Sequence, residues 1–246
     1  MLAAVMLIQR PNSPVPEQLP EANASRLFLG DCIKLLPDLA DNSINCIITD
    51  PPYGISYKSL SHKLKLKSIA NDGKEAYDIL DRALSIAVRK LKNGHHIYVF
   101  TNWQAYPSMR DVFERYFTLK NLITWDKGSG TRGDLKGNYG YRTELIMYGC
   151  NGEKRNPLFG RRDDNILFFK KVPSVHMQHP TEKPVELLKY LTEKSSAAGD
   201  TILDMFAGAG STLVAAKELG RRYVGIELEK TWYDVAARRL GLAVVQ

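Results

Sequence analysis

The 246-residue chain carries only three cysteines, Cys32, Cys46 and Cys150. An odd, unpatterned set excludes a disulfide framework and points to a reducing cytoplasm. Long apolar runs are also missing. No stretch approaches the roughly 20 apolar residues that a membrane span needs, so no membrane partner is expected. The apolar start, Met1 to Ile8, has no basic leader and soon meets Pro11, Pro14, Pro16 and Pro20. Residues 1–24 are therefore expected to form a disordered arm rather than a signal peptide. Ligand clusters for a metal are absent from the pattern too. His95-His96 and the pair His176 and His179 have no cysteine or paired carboxylate at ligand spacing, so no metal is expected. There is no internal repeat and no low-complexity tract beyond the proline-rich arm.

What is present suits a single folded domain over residues 25–246, since 44% of the chain is hydrophobic and can fill one core. Strand-like runs recur at 27–29, 44–49, 95–101, 119–125, 144–148, 201–204 and 222–227, with helical patterns between most of them. In the segment 76–91, Leu80, Ala83, Leu84, Ala87 and Leu91 share one face, and Asn93-Gly94 offers a stop. Pro184 sits where a first-turn proline belongs, and Ser211-Thr212 open a helix ending at Gly220. Alternating strands and helices predict a wound α/β sheet with helices on both faces. Trp103 and Trp125, near strand ends, are expected in the core or a cleft wall, and Trp232 is expected to pack against the sheet.

The net charge of +7 is compatible with a polyanionic partner, and its placement says more than its size. Residues 54–74 are too long for a simple connection and carry Lys58, Lys63, Lys65, Lys67 and Lys74 against Asp72 alone. Residues 127–178 hold ten basic residues against five acids, and their Gly-, Asn- and Arg-rich composition, with only short β-like pieces at 144–148 and 166–169, suggests an inserted recognition region.

Two motifs carry the chemistry. Asp50-Pro51-Pro52-Tyr53 follows the apolar run ending at Thr49. Its prolines fix φ, so the carboxylate and the aromatic ring are held rather than free. An exocyclic amine on a base is a poor nucleophile, because its lone pair is conjugated into the ring. A carboxylate and a rigid carbonyl can accept its hydrogens, while Tyr53 offers a face for stacking. The second motif, Asp204-Met205-Phe206-Ala207-Gly208-Ala209-Gly210, leaves a strand and enters a helix with bare backbone N–H groups. It lacks the third glycine and the Lys-Ser/Thr of phosphate-cradling loops, so an unphosphorylated adenosine cofactor fits better than a dinucleotide. Glu227 ends the next strand, placed to accept from both ribose hydroxyls.

Together these residues resemble the beta class of S-adenosylmethionine-dependent DNA amino-methyltransferases, over roughly residues 25–240. The resemblance implies a mostly parallel, seven-stranded, Rossmann-like methyltransferase sheet. It implies Asp50, Pro51, Pro52 and Tyr53 as the catalytic turn. For S-adenosyl-L-methionine it implies Phe206, Ala207, Gly208, Gly210, Ser211 and Thr212 at the methionine and ribose part, near Asp50 and Asp204, with Glu227 on the ribose. Asp31 and Cys32 would lie at the adenine ring, and Lys183, in His179-Pro180-Thr181-Glu182-Lys183-Pro184, would close over the methionine moiety. Double-stranded DNA is the implied partner, with Lys58, Lys63, Lys65, Arg161, Arg162, Lys170 and Lys171 as candidate contacts, and a homodimer is compatible with it. Aspartate rather than serine at position 50 leans toward adenine N6. Cytosine N4 stays open as a target, as does a nucleic-acid-binding regulator that keeps the fold. A carbon-5 cytosine enzyme fits poorly, because none of the three cysteines follows a proline.

Overall fold

The computed structural model describes residues 24–54, 73, 75–130, 137, 139–173, 175, 177–179 and 181–243. The proline-rich arm up to residue 23, most of the 54–74 loop with Lys58, Lys63 and Lys65, and His176 lie outside the described residues.

Eight strands form one sheet: β1 (Arg26–Leu29), β2 (Ile44–Thr49), β3 (Leu91–Thr101), β4 (Thr118–Asp126), β5 (Thr143–Cys150), β6 (Ile166–Phe168), β7 (Thr201–Asp204) and β8 (Arg222–Glu227). Their order across the sheet is β1-β8-β7-β2-β3-β5-β4-β6. All run in one direction except β5, which is antiparallel to both of its neighbours. The sequence suggested seven strands. The eighth is β6, three residues long, paired to the outer side of β4.

Among the described residues, six α-helices cover the two faces: α1 (Cys32–Leu35), α2 (Ala76–Lys90), α3 (Tyr106–Phe113), α4 (Val185–Ser195), α5 (Ser211–Glu218) and α6 (Lys230–Arg239). The period-two alternation of β2 divides the core between them. Ile47 points into a cluster with Leu80, Leu84 and Ala87 of α2 and Met109 and Phe113 of α3. Cys46 and Ile48 point the other way, toward Leu187, Leu188 and Leu191 of α4 and Leu213 of α5. Each fully buried aliphatic side chain of this kind contributes about 1.5–3 kcal/mol. This outweighs local propensity in a short element such as the four-residue β7, buried along its length.

Three local expectations change. Asn93-Gly94 does not end α2. The helix stops at Lys90, Leu91 turns extended, and Gly94 lies within β3 at φ +75°, bonded through its N–H to Asn151 O. Pro184 is the N-cap of α4, one step before the first turn. The 127–178 span is not an outside insertion along its length. Its apolar stretch Leu145 to Cys150 belongs to β5, in the middle of the sheet, where Ile146 and Met147 are fully buried on opposite faces.

Candidate active site

The chain proceeds from β2 to β3 on one side and from β7 to β8 on the other, so the sheet reverses its winding between β2 and β7. Open α/β sheets place ligands outside the carboxyl ends of strands at such a point. Both motifs leave from this edge, Asp50 from β2 and Phe206 from β7. The two tips are tied together: Thr49 Oγ1 donates to Asp204 Oδ1 at 2.9 Å and accepts from Met205 N–H at 3.3 Å. One cavity of about 830 Å³ is lined by Asp31, Cys32, Asp50, Pro51, Pro52, Tyr53, Lys183, Asp204, Phe206, Ala207, Gly208, Ser211, Thr212 and Glu227. Of the candidate catalytic and cofactor residues, only Gly210 is not on its wall. A methyl group there would press on Ala236 Cβ at 2.8 Å, so Gly210 permits α6 to pack against the loop.

The glycine loop is held by backbone bonds. Ala207 N–H donates to Ile226 O at 2.9 Å and Gly210 N–H to Ala207 O at 2.8 Å, with Gly208 and Gly210 at φ +50° and +77°, where glycine is favoured. Glu227 accepts Gly208 N–H and Glu229 N–H, one per oxygen, each at 2.7 Å. Burial pushes its carboxyl up, and those two hydrogen bonds oppose the rise. Asp204 is more deeply buried, and desolvation raises it to about 6 against hydrogen bonds from Thr212, Phe206 N–H and Thr49. Asp31 caps α1 by accepting Ile33 N–H at 3.0 Å, a structural duty added to its place on the cavity wall. Burial also pushes the Cys32 thiol up to about 12, so it stays protonated.

His179 lies over Gly208, and its ring meets the edge of Trp232 at 4.4 Å between centroids. Burial, with a smaller push from Lys183, lowers His179 to about 4, which keeps the imidazole neutral. Trp232 therefore lines the cavity rather than packing on the sheet, because α6 starts at the same edge where β8 ends. Glu182 fastens this lip to the loop: it bonds Arg239 at 3.0 Å and Ser211 at 3.4 Å, while Arg239 also donates to Ala209 O.

On the other side of the cavity, the Asp50 turn is locked from three directions. Tyr53 OH donates to Asp50 Oδ1 at 2.6 Å, Lys183 Nζ donates to Asp50 Oδ2, and Tyr77 OH of α2 donates to Tyr53 O at 3.1 Å. Lys183 lies 5.1 Å from the Phe100 ring centre and 5.9 Å from that of Tyr53. Burial raises the Asp50 carboxyl more than Lys183 lowers it, and nearby Glu144 adds to the rise. Burial lowers Lys183, but Asp50 and Glu144 together reverse that and hold its ammonium firmly charged. Phe100 meets Trp125 edge-on at 6.5 Å, and both line the wall with Trp103, which is exposed at the rim.

Two residues here were not signalled by the sequence: Lys127, just past β4, and Glu144, at the start of β5. Glu144 Oε1 pairs with Lys127 at 3.3 Å and Oε2 lies 3.5 Å from Lys183. Because β5 runs backwards, its first residues meet the last residues of its parallel neighbours.

The candidate DNA contacts divide. Lys171 lines this cavity, and Lys170 lies nearby, its Cγ close to Gly128. Arg161 and Arg162 line a second, shallower cavity beside β6, with Phe159, Asp163, Tyr190 and Lys194. Arg161 pairs there with Asp163 at 3.1 Å. Among the described residues, no group of three His, Cys, Asp or Glu side chains could hold a metal ion, and no helix is long and apolar enough to cross a membrane.

The residues fit the sulfonium nucleoside that the resemblance implies. Glu227 uses one lone pair of each oxygen on the backbone and keeps others for hydroxyl donors. The volume lies within the usual range for ligand pockets, about 300–1,000 Å³. The YubD protein of Escherichia coli K12 is 30% identical over 217 residues, spanning 88% of this chain and 90% of YubD. The type II methyltransferase M2.MboI of Moraxella bovis is 27% identical over 237 residues, 87% of this chain and 86% of its own. The solved M1.HpyAVI–SAM complex superposes with a TM-score of 0.70 at 21% identity, covering 88% of this chain and 99% of that one. The family model described as DNA methylase, for N6 and N4 enzymes, matches residues 44–238, and the chain belongs to that family.

Proposed function

We propose that this chain is an S-adenosylmethionine-dependent enzyme that methylates the N6 amine of adenine in duplex DNA, with the target base turned out of the helix. The observation that carries this is the single cavity joining the Asp50 turn to the glycine loop, with Thr49 and Asp204 bonded across the two strand tips. In the cofactor half, Glu227 would hold the ribose, Asp31 and Cys32 the adenine end, and Phe206, Ala207, Gly208, Ser211 and Thr212 the remainder beneath His179 and Lys183. Bound S-adenosylmethionine supplies an electrophilic methyl on a cationic sulfur.

The protein's own task is to orient the amine. The rigid turn presents Asp50 and the Pro51 carbonyl as acceptors for its two hydrogens, which aims the nitrogen lone pair away from them. Tyr53 supplies a stacking face, and Phe100 and Trp125 keep water out of the wall. As the nitrogen takes the methyl it releases one proton. Asp50, its carboxyl raised by burial, is placed to receive it. Proximity and alignment supply much of the rate enhancement, with no covalent enzyme intermediate.

The parts of 127–178 outside the sheet would read sequence, with Lys170 and Lys171 nearest the cavity. A homodimer and a cytoplasmic location complete the proposal. The M2.MboI likeness supports a restriction–modification setting. Transfer of labelled methyl to duplex DNA, followed by nucleoside analysis, tests it. N6-methyladenine is the expected product. N4-methylcytosine would move the assignment to the other target, and cofactor binding without any transfer would favour a regulator.

A further inference from the structure

Orientation of the amine, as proposed, gives no role to Glu144 and Lys127, although both are largely buried in the target half of the cavity. Their geometry suggests one. Asp50 has both oxygens engaged, Oδ1 by Tyr53 and Oδ2 by the Lys183 ammonium. An ammonium on Oδ2 takes one of that oxygen's lone pairs and draws on its negative charge, so it weakens the acceptor that an incoming amine needs. A charge-assisted bond of this sort is worth about 1.5–3 kcal/mol. Lys183 is too buried to let it go unless another anion replaces Asp50. Glu144 Oε2 is that anion. It lies 3.5 Å from Lys183 Nζ, is buried, and accepts no well-formed hydrogen bond, while Oε1 is anchored by Lys127.

We propose that Glu144 is a positioning residue for methyl transfer: it takes the Lys183 ammonium from Asp50 as the target amine enters. No covalent bond changes in this exchange; one salt bridge is traded for another, and Asp50 Oδ2 regains its full strength as an acceptor. The inference rests on the role assigned to Asp50 above. Thr181 O, 3.3 Å from Lys183, provides the pivot on which the ammonium remains bonded throughout.

Single-turnover transfer by the full chain, preloaded with cofactor and duplex DNA, tests this with Glu144→Gln and Glu144→Asp. The amide keeps the shape but cannot draw off a cation. The rate in Glu144→Gln should fall about tenfold to a hundredfold, with cofactor and DNA affinity within about threefold of wild type, and Glu144→Asp should recover most of the loss. A wild-type rate in Glu144→Gln, equal damage in both variants, or a loss confined to binding overturns the proposal. A second measurement needs no variant. In wild-type protein labelled with 15N-lysine, the Lys183 Nζ resonance should move when duplex DNA and S-adenosylhomocysteine are added; an unmoved resonance overturns the exchange. Asp50→Ala run alongside separates the two layers. If it stays active, the role of Asp50 fails; if it is dead while Glu144→Gln is fully active, only the role of Glu144 fails.

Discussion

The two halves of the cavity are built from different materials. The cofactor half, at the ends of β1, β7 and β8, presents backbone N–H groups, two positive-φ glycines, a neutral His179 and carboxylates already bonded to main chain. The target half, at β2, β3, β4 and β5, presents two acids and two lysines within one ion-pair network, walled by aromatic rings. A half that only binds can be made rigid by backbone. A half that must release and accept hydrogens during a reaction needs groups whose partners can be exchanged.

That contrast predicts that damage on the target side strikes turnover, whereas damage on the cofactor side strikes affinity. The largest effect should come from Asp50→Ala. It removes the acceptor and leaves Lys183 to Glu144, so transfer should fall by about a thousandfold or more, roughly 4 kcal/mol of barrier. Cofactor affinity, measured by calorimetry, should stay near wild type, and retained turnover would break the assignment. On the opposite side, Glu227→Ala should weaken cofactor binding by about tenfold to a hundredfold, since one or two hydrogen bonds to a charged acceptor are lost. At saturating cofactor its turnover should be close to normal. A variant with intact affinity but poor turnover would erase the distinction between the halves.

The same division explains what the sequence reveals. The cofactor half is contiguous: a strand, seven residues from Asp204 to Gly210, a helix, and an acid one strand later. Its meaning survives in a linear pattern. The Asp50 turn is legible for the same reason, because prolines fix its shape locally. Glu144 and Lys127 leave no such trace. Glu144 meets both Lys127 and Lys183 only because β5 inserts antiparallel between β3 and β4, a long-range pairing that no local period encodes. The apolar run of β5 signals a strand but neither its direction nor its place in the sheet. The failed helix stop at Asn93-Gly94 has a similar cause, since pairing of β3 with β2 begins immediately at Leu91.

Asp204 gives a third, smaller effect and a pH signature. Burial raises its carboxyl from 3.8 to about 6, so the folded state holds its proton more tightly than the unfolded chain does. The stability it contributes is full below about pH 4 and is lost as pH rises through 6, a loss of about 3 kcal/mol by pH 8. His179, lowered to about 4, works in the other direction, because its folded form resists protonation. Asp204→Asn removes the first effect and leaves the second. Relative to wild type, the variant should be more stable at pH 8, with the gap closing as pH falls toward 4. Paired denaturant titrations would show it, and a gap independent of pH would mean that Asp204 titrates normally.

The smallest effects concern DNA, where the two cavities can be set against each other. Lys171 stands on the wall of the first, while Arg161 lines the second and is already paired with Asp163. A lysine that neutralises one phosphate contributes about one unit to the slope of log affinity against log salt. Lys171→Ala should therefore weaken duplex binding a few-fold and flatten that slope by about one unit, equally for all sequences. Arg161→Ala should change it little, because an exposed ion pair such as Arg161–Asp163 contributes at most about 1 kcal/mol and competes with any phosphate for the guanidinium. If the order were reversed, with Arg161 setting the salt slope, DNA would cross the β6 edge as well as the mouth of the reaction cavity. The recognition surface would then have to extend past β4 to β6, the outer strand on that side of the sheet.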